Sequence, residues 1–272
     1  MTDRSADLVL AAEIAGNAGR IAMAQFGTNP ERWAKTDGSP VSAADLAVND
    51  YLKGSIAAAR PGDGWLSEEC ADNDQRLGKR RVWVIDPIDG TRDFLRGRTG
   101  WAVSVALIED GAVTVAVLAA PAQKRLYAAS LGAGATLNGK RLSVSGLAAL
   151  DGVRLPIDAA NLTASFWPSP WPGSAVAKPN SLALRMAMLA ANEADAWLEG
   201  RSIPEWDVAA SSLILTEAGG VLTDRRGAPL GFNRHQPVLH GIAAAATPAL
   251  HGEVLGRLDH ALKIFAARRA AA

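Results

Sequence analysis

Two β-rich runs, residues 101–108 and 112–119, are joined by only three residues, Glu109-Asp110-Gly111. A short connection that contains Gly is typical of a β-hairpin, which is antiparallel. Helical patterns stand before and after this hairpin instead of alternating with single strands. The combination predicts an α+β fold and argues against a regular βαβ series.

Apolar periodicity and turn residues predict the remaining elements. Residues 5–26 carry apolar side chains three and four positions apart, which indicates an amphipathic helix. A second helix is predicted over 43–59, between the capping-box-like start Ser42 to Asp45 and the stop at Arg60-Pro61. The further predicted helices are 182–198, 208–218 and a C-terminal segment. The further predicted strands are 65–67, 81–85, 125–129, 221–223 and 239–245.

The segment from 132 to 179 is rich in Gly, Pro, Ser and Ala and shows little periodicity, which is typical of a boundary region. We therefore predict two lobes. Residues 1–135 form an N-terminal α+β lobe that carries most of the candidate metal ligands. Residues 136–272 form a C-terminal α/β lobe that contributes Asp207 and the substrate pocket.

Composition excludes several classes of protein. The 28 basic residues balance the 28 acidic ones, so the chain lacks the basic footprint of a protein that binds polymeric nucleic acid. No apolar run approaches the roughly 20 residues that span a bilayer, and the N-terminus lacks the apolar core of a signal peptide. The single cysteine, Cys70, fits a reducing compartment. We expect a soluble, cytoplasmic protein.

Four acidic residues stand at the ends of predicted elements: Glu68, Asp86, Asp89 and Asp207. Carboxylate and carbonyl oxygens are the ligands that Mg²⁺ prefers. The four histidines are scattered late in the chain and form no zinc pattern. The set therefore predicts a magnesium site.

The segment from Asp86 to Thr91 predicts how these groups meet. A strand that ends at Ile85 would place Asp86 at its tip, and Pro87 and Gly90 would turn the chain so that Asp86 and Asp89 point at one place. The Gly90 and Thr91 amides would receive a phosphate, and the Thr91 hydroxyl would hold the attacking water.

Each of these residues also has a purely structural interpretation. Asp-Pro and Asp-Gly are ordinary turn dipeptides, and Asp207 and Asp45 stand where helix-capping acids stand. Turn and cap chemistry does not require all of them together in one chain. Taken jointly, these residues favour a metal-binding and catalytic role over a purely structural one.

Two segments carry a family resemblance. Residues 83–91 read WVIDPIDGT, and Trp206-Asp207 is followed, after eleven intervening residues, by Gly219-Gly220. Both resemble the signatures of the inositol monophosphatase superfamily, and the resemblance covers nearly the whole chain. It implies a layered α/β/α/β/α sandwich, a homodimer, inhibition by lithium, and hydrolysis of a small-molecule phosphate ester with two or three Mg²⁺ ions.

The resemblance also implies roles at matching positions. Glu68, Asp86 and the Ile88 carbonyl would bind one Mg²⁺. Asp86, Asp89 and Asp207 would bind a second. Glu68 and Thr91, the latter oriented by Asp45, would position and deprotonate the attacking water. The residues that would contact the substrate are Gly90, Thr91, Asp207 and Glu199.

Substrate choice depends on other segments. Three of them resemble the branch that removes the 3'-phosphate of adenosine 3',5'-bisphosphate: Ser67-Glu68-Glu69, Glu205-Trp206-Asp207, and Pro229-Leu230 before an aromatic and Asn233. Pro179-Asn180-Ser181 departs from the segment usual in inositol phosphatases. Glu199 lies one residue from the position of an inositol-binding Glu, so inositol-1-monophosphatase stays the alternative. Candidates for stacking on the base are Trp167, Trp171 and Phe232.

Histidinol phosphate and fructose bisphosphate are minor substrate options. Two other classes of protein are alternatives to this assignment. A catalytically silent sensor on the same fold is disfavoured because every expected ligand is present. A phosphatase of the haloacid dehalogenase type needs a D-x-D segment, whereas Asp86 and Asp89 have two residues between them.

Overall fold

The computed structural model describes residues 4–36 and 38–270, which contain six α-helices and four short 3₁₀ turns. The helices are α1 (Arg4–Gln25), α2 (Ala43–Ala59), α3 (Thr91–Leu95), α4 (Leu182–Ala190), α5 (Ala209–Glu217) and α6 (Pro248–Ala270). The 3₁₀ turns are Asp74–Gly78, Pro121–Gln123, Ala159–Thr163 and Glu205–Asp207.

The same residues contain fourteen strands in four sheets. The strands are β1 (Arg32–Ala34), β2 (Pro40–Ser42), β3 (Gly64–Ser67), β4 (Arg81–Asp89), β5 (Ala102–Glu109), β6 (Ala112–Ala120), β7 (Arg125–Ser130), β8 (Gly134–Leu137), β9 (Lys140–Arg141), β10 (Val153–Leu155), β11 (Gly173–Ala175), β12 (Ala196–Pro204), β13 (Val221–Asp224) and β14 (Val238–Ala245).

The largest sheet has seven strands in the order β3 to β9, parallel between β3 and β4 and antiparallel elsewhere. Successive residues of a strand face opposite sides of the sheet. In β4, Trp83 packs with α1 and α2 on one side, whereas Val82 and Val84 pack into a second core on the other. Both faces of the sheet are therefore buried, which explains why its central strands are almost wholly apolar.

The second core also contains α4 and α5, which lie between the large sheet and a three-stranded sheet in the order β12-β14-β13. The outer face of the smaller sheet packs on α6 through Ala243, Leu250 and Val254. The layers are thus α1 and α2, large sheet, α4 and α5, small sheet, and α6. The predicted α+β class and α/β/α/β/α sandwich are confirmed.

Most predicted elements are present within a few residues of their expected bounds, but the helix predicted over 182–198 is wrong. It ends at Ala190, because Asn192 takes a left-handed conformation with φ of 57° and the next residues turn back onto Met188. Ala196 and the residues after it pair with β14 instead. Pairing with a distant strand has overridden the local helix propensity of this Ala- and Leu-rich segment.

Strand β4 does not end at Ile85 but continues through a bulge to Asp89. The lobe boundary predicted at residue 135 falls within β8, and the division into two lobes stays a prediction. Within residues 4–36 and 38–270, no helix is both long and apolar enough to cross a bilayer.

Candidate active site

A cavity of about 210 Å³ opens beside the ends of β3 and β4 and the first turn of α4. All four acids predicted as metal ligands line it: Glu68, Asp86, Asp89 and Asp207. Glu68 follows β3, Asp86 and Asp89 belong to β4, and Asp207 ends the 3₁₀ turn before α5. The fold therefore brings together residues that are more than one hundred positions apart.

The bulge in β4 explains how Asp86 and Asp89 share one cavity. Residues three apart on a regular strand face opposite sides of the sheet. Here Asp86 pairs with Ser104 while Asp89 pairs with Ala102, so β4 has one residue more than its partner in this stretch. The extra residue reverses the alternation and directs both carboxylates to the same side.

The acids repel one another. Burial raises the pKa of Asp86 well above its usual range, and the charges of Glu68, Asp89 and Asp207 raise it further. Burial, then Asp89 and Glu68, raise the pKa of Asp207 in the same way. So much uncompensated negative charge in a buried place calls for a cation.

The donor set fits magnesium. All four side chains offer hard oxygen ligands, which suit Mg²⁺ and not a metal that prefers sulfur or imidazole. In the part of the chain that the structure describes, no three Asp, Glu, His or Cys side chains are grouped closely enough to hold a metal ion by themselves. The acids instead surround an open cavity in which ions and water can complete the coordination.

Lys35 supplies part of the missing positive charge. Its Nζ lies 2.7 Å from Glu68 Oε1 and 2.7 Å from Glu69 Oε1. Burial raises the pKa of Glu69 to about 7, against the opposing effect of Lys35. Lys35 thus contacts both members of the Glu68-Glu69 pair, of which Glu68 also lines the cavity. The sequence did not predict this contact.

Thr91 and Asp45 meet at the edge of the same cavity. The Thr91 hydroxyl lies 3.1 Å from Asp45 Oδ1 and 3.1 Å from the Ile88 carbonyl oxygen. Asp45 also accepts hydrogen bonds from the Ser42 amide and hydroxyl, as expected of a capping box, and it is 1% exposed. The Asp45 carboxylate therefore both caps α2 and contacts Thr91.

Gly90 separates Asp89 from α3 and has a φ of 96°. A Cβ at this position would lie 2.7 Å from the Gly100 carbonyl oxygen, so only glycine fits without movement of the backbone. The tight turn at Gly90 lets α3 begin at Thr91 directly after β4.

The first turn of α4 binds the Asp89 carboxylate, a contact that the sequence did not predict. The Leu182 and Ala183 amides and the Ser181 hydroxyl all donate to its carboxylate. Burial still raises the pKa of Asp89 to about 6 against these three bonds. Ser181 before an apolar run indicates an N-cap, but the sequence does not show which acid the helix receives.

Several residues proposed for substrate contact do not line the cavity. Glu199 lies on β12 and pairs with Arg201, whose Nη2 is 2.7 Å from Glu199 Oε2. Trp167 and Trp171 pack in the apolar core under α6, and Phe232 packs beside α5. These aromatic residues therefore lie outside the cavity lining, and their stacking on a base stays a prediction. Arg201, the partner of Glu199, does line the cavity.

Part of the cavity lining is cationic. Arg92, Arg185 and Arg201 line it together with Asn180. The sequence offers no periodic or motif signature for this group, because the three arginines come from separate elements. The lining thus combines four acids with three arginines, which we call the basic wall.

Comparison with known proteins agrees with this geometry. The model of the inositol monophosphatase family matches residues 3–262. A Streptomyces griseus protein named glucose-1-phosphate thymidylyltransferase is 37% identical over 84% of this chain and 89% of its own length. A Mycobacterium tuberculosis histidinol-phosphatase is 34% identical over 93% and 98%. An inositol-1-monophosphatase from Mesorhizobium japonicum is 34% identical over 82% and 87%.

Among solved structures, an IMPase from Thermotoga maritima superposes with a TM-score of 0.82 at 26% identity, covering 94% of this chain and 98% of its own. The layered fold, the acid-lined cavity and the phosphatase relatives define the class: a phosphoric monoester hydrolase. Within that class the chain belongs to the inositol monophosphatase family.

Proposed function

We propose that this chain is a magnesium-dependent 3'(2'),5'-bisphosphate nucleotidase that converts adenosine 3',5'-bisphosphate to AMP and phosphate. The observation that supports this substrate is the cavity that joins four acids to three arginines. The acids suit metal ions at the reacting phosphate. The arginines suit a second phosphate on the same substrate.

Glu68, Asp86, Asp89, Asp207 and the Ile88 carbonyl would hold the magnesium ions. When bound, the ions would neutralise charge on the phosphate and lower the pKa of the attacking water. Thr91 and Glu68 would orient that water. If the Thr91 hydroxyl donates to Asp45, its lone pairs are left to accept a hydrogen bond from the water, which fixes the direction of attack. Glu68 would take the proton.

Inositol-1-monophosphatase is the second candidate, because a relative from Mesorhizobium japonicum carries that name. A neutral polyol ring needs hydroxyl-binding acceptors. Glu199, the acid expected in that role, is paired with Arg201 and lies off the cavity lining. Histidinol phosphate carries an ammonium group, which the basic wall would repel. The wall therefore favours the bisphosphate over both.

The family resemblance extends the proposal in three directions. We propose that lithium inhibits the enzyme, that it works as a homodimer, and that it acts in the cytoplasm. Its partners would then be small phosphate esters and a second copy of the same chain.

Side-by-side kinetics test the substrate. We expect kcat/KM for adenosine 3',5'-bisphosphate to exceed that for inositol 1-phosphate by about 10 to 100-fold, because one well-placed ion contact contributes about 1.5–3 kcal/mol. Initial rates of phosphate release are measured at matched magnesium concentration, with histidinol phosphate as a third substrate. An assay after EDTA treatment serves as the control for metal dependence. Equal or faster hydrolysis of inositol 1-phosphate would make inositol-1-monophosphatase the correct name.

A further inference from the structure

Arg185 is a buried cation without an acidic partner. It lies on α4 and is 9% exposed. Its Nε donates to the Pro179 carbonyl at 2.8 Å, and one Nη donates to the Asn180 carbonyl at 3.3 Å. Across residues 4–36 and 38–270, no carboxylate lies within ion-pairing distance of its guanidinium group. A desolvated guanidinium without a counter-ion is costly, and burial accordingly lowers the pKa of Arg185.

Three of its five N–H donors have no protein acceptor among the described residues. Arg185 lines the acid-bearing cavity, so these donors can reach a ligand that enters there. The position on α4 is also fixed. Leu182, which binds Asp89, precedes Arg185 by three residues, or about 4.5 Å along the helix axis. The backbone of Arg185 therefore lies within one helical turn of a residue whose amide donates to Asp89, a candidate metal ligand.

A second guanidinium lies nearby. Arg201 lines the same cavity, and its charge contributes to the lowered pKa of Arg185. Arg201 has Glu199 as its partner, so its charge is balanced. The acids that act on Arg185 at longer range are Asp89, Glu199 and Asp158. Of these, Asp89 accepts hydrogen bonds from α4, Glu199 is paired with Arg201, and Asp158 is paired with Lys178. Arg92, the third arginine of the lining, is exposed, so Arg185 is the buried cation of the cavity that an incoming anion can pair with.

We propose that Arg185 is the binding site for the second phosphate of a bisphosphorylated substrate, the group that is not hydrolysed. This inference rests on the proposed function and names the residue that selects the substrate. A guanidinium anchored at its Nε by a backbone carbonyl presents its Nη groups in a fixed orientation, which suits a phosphate oxyanion. The reacting phosphate lies over the acids and does not use this group.

The test compares two substrates that differ by one phosphate. Wild type and Arg185→Met are assayed with adenosine 3',5'-bisphosphate and with adenosine 3'-monophosphate. We expect kcat/KM for the bisphosphate to fall about 10 to 100-fold in the variant, mainly through KM, and kcat/KM for the monophosphate to stay within about twofold. Arg98→Met, which removes a largely exposed arginine outside this cavity, should change neither value.

Binding gives a second readout that does not depend on turnover. Calorimetric titration with AMP, which carries only the 5'-phosphate, should show weaker binding to Arg185→Met than to wild type by a similar factor. Arg185→Lys keeps the charge but loses the planar fork, and it should lie between the two. This conservative variant also serves if Arg185→Met does not fold.

Equal losses on both substrates would show that Arg185 only supports the loop at Pro179 and Asn180, and would overturn the inference. An unchanged Kd for AMP would overturn it as well. The proposed function fails separately. If wild type prefers inositol 1-phosphate while Arg185→Met still weakens only the bisphosphate, then the subsite stands and the nucleotidase assignment falls.

Discussion

Replacing Asp207 by Asn is expected to lower kcat/KM by about 10² to 10⁴-fold, while the protein stays folded. The reason is that Asp207 lines the cavity together with Glu68, Asp86 and Asp89 and is a candidate ligand of the bound ions. A lost ligand forfeits part of the transition-state charge stabilisation that bound ions supply, which is several kcal/mol. Initial rates at saturating magnesium measure the loss.

The same substitution should make the magnesium-free protein more stable. Asp89 and Glu68 repel Asp207 in the folded state, and burial disfavours its charge. A neutral amide of the same shape relieves both costs at pH 7, so Tm without metal should rise and the gain in Tm from added magnesium should shrink. Asp259→Asn, an exposed acid on α6, is the matched control and should alter neither activity nor metal response. Near-normal turnover in Asp207→Asn would contradict a ligand role.

Thr91→Val is expected to lower kcat by about 100-fold or more with a small change in KM. Valine preserves the shape of threonine but removes the hydroxyl that lies 3.1 Å from Asp45. Water positioning and proton transfer by a placed side chain contribute about 10² to 10⁴-fold. The loss should therefore appear in the chemical step and not in substrate binding.

Thr91→Ser is the matched control because it keeps the hydroxyl and should retain activity within about tenfold. Circular dichroism and Tm must accompany the rates, since Asp45 and the Ile88 carbonyl each lose a partner at a cost of about 1–3 kcal/mol. A Thr91→Val enzyme with normal kcat would remove Thr91 from the mechanism and leave it as the first residue of α3.

Much of the fold was predictable because local chemistry determines it. The capping box from Ser42 to Asp45 and the stop at Arg60 give α2 with its observed bounds. The short link at Asp110 and Gly111 gives the β5–β6 hairpin. In such segments the turn residues and the apolar period agree with the tertiary structure.

What failed depended on distant partners. The segment after Ala196 is a strand because it pairs with β14, which the local pattern does not show. The bulge in β4 was missed because Pro87 and Gly90 suggested that the strand ends, whereas antiparallel pairing with β5 continues to Asp89. A pattern read along the chain has no access to such pairings.

The residues of the site also fall into a group that the sequence predicted and a group that it did not. The acids were identified from motifs, and the fold brings them to one cavity. Their supports were not identified, because Lys35 meets Glu68 and α4 meets Asp89 only through the tertiary fold. Arg185 was missed for the same reason. Substrate selection depends on residues such as Arg185 that belong to no sequence motif. The sequence therefore predicts the type of reaction better than it predicts the substrate.

The central claim is that Glu68, Asp86, Asp89 and Asp207 form a divalent metal centre. Anomalous diffraction from crystals soaked in Mn²⁺, an ion that accepts the same oxygen ligands as Mg²⁺, tests it directly. We expect two anomalous peaks in the cavity, each within about 2.0–2.5 Å of carboxylate oxygens from this set, with Asp86 contacting both. An empty cavity in crystals that bind Mn²⁺ elsewhere, or a peak that contacts none of the four acids, would contradict it.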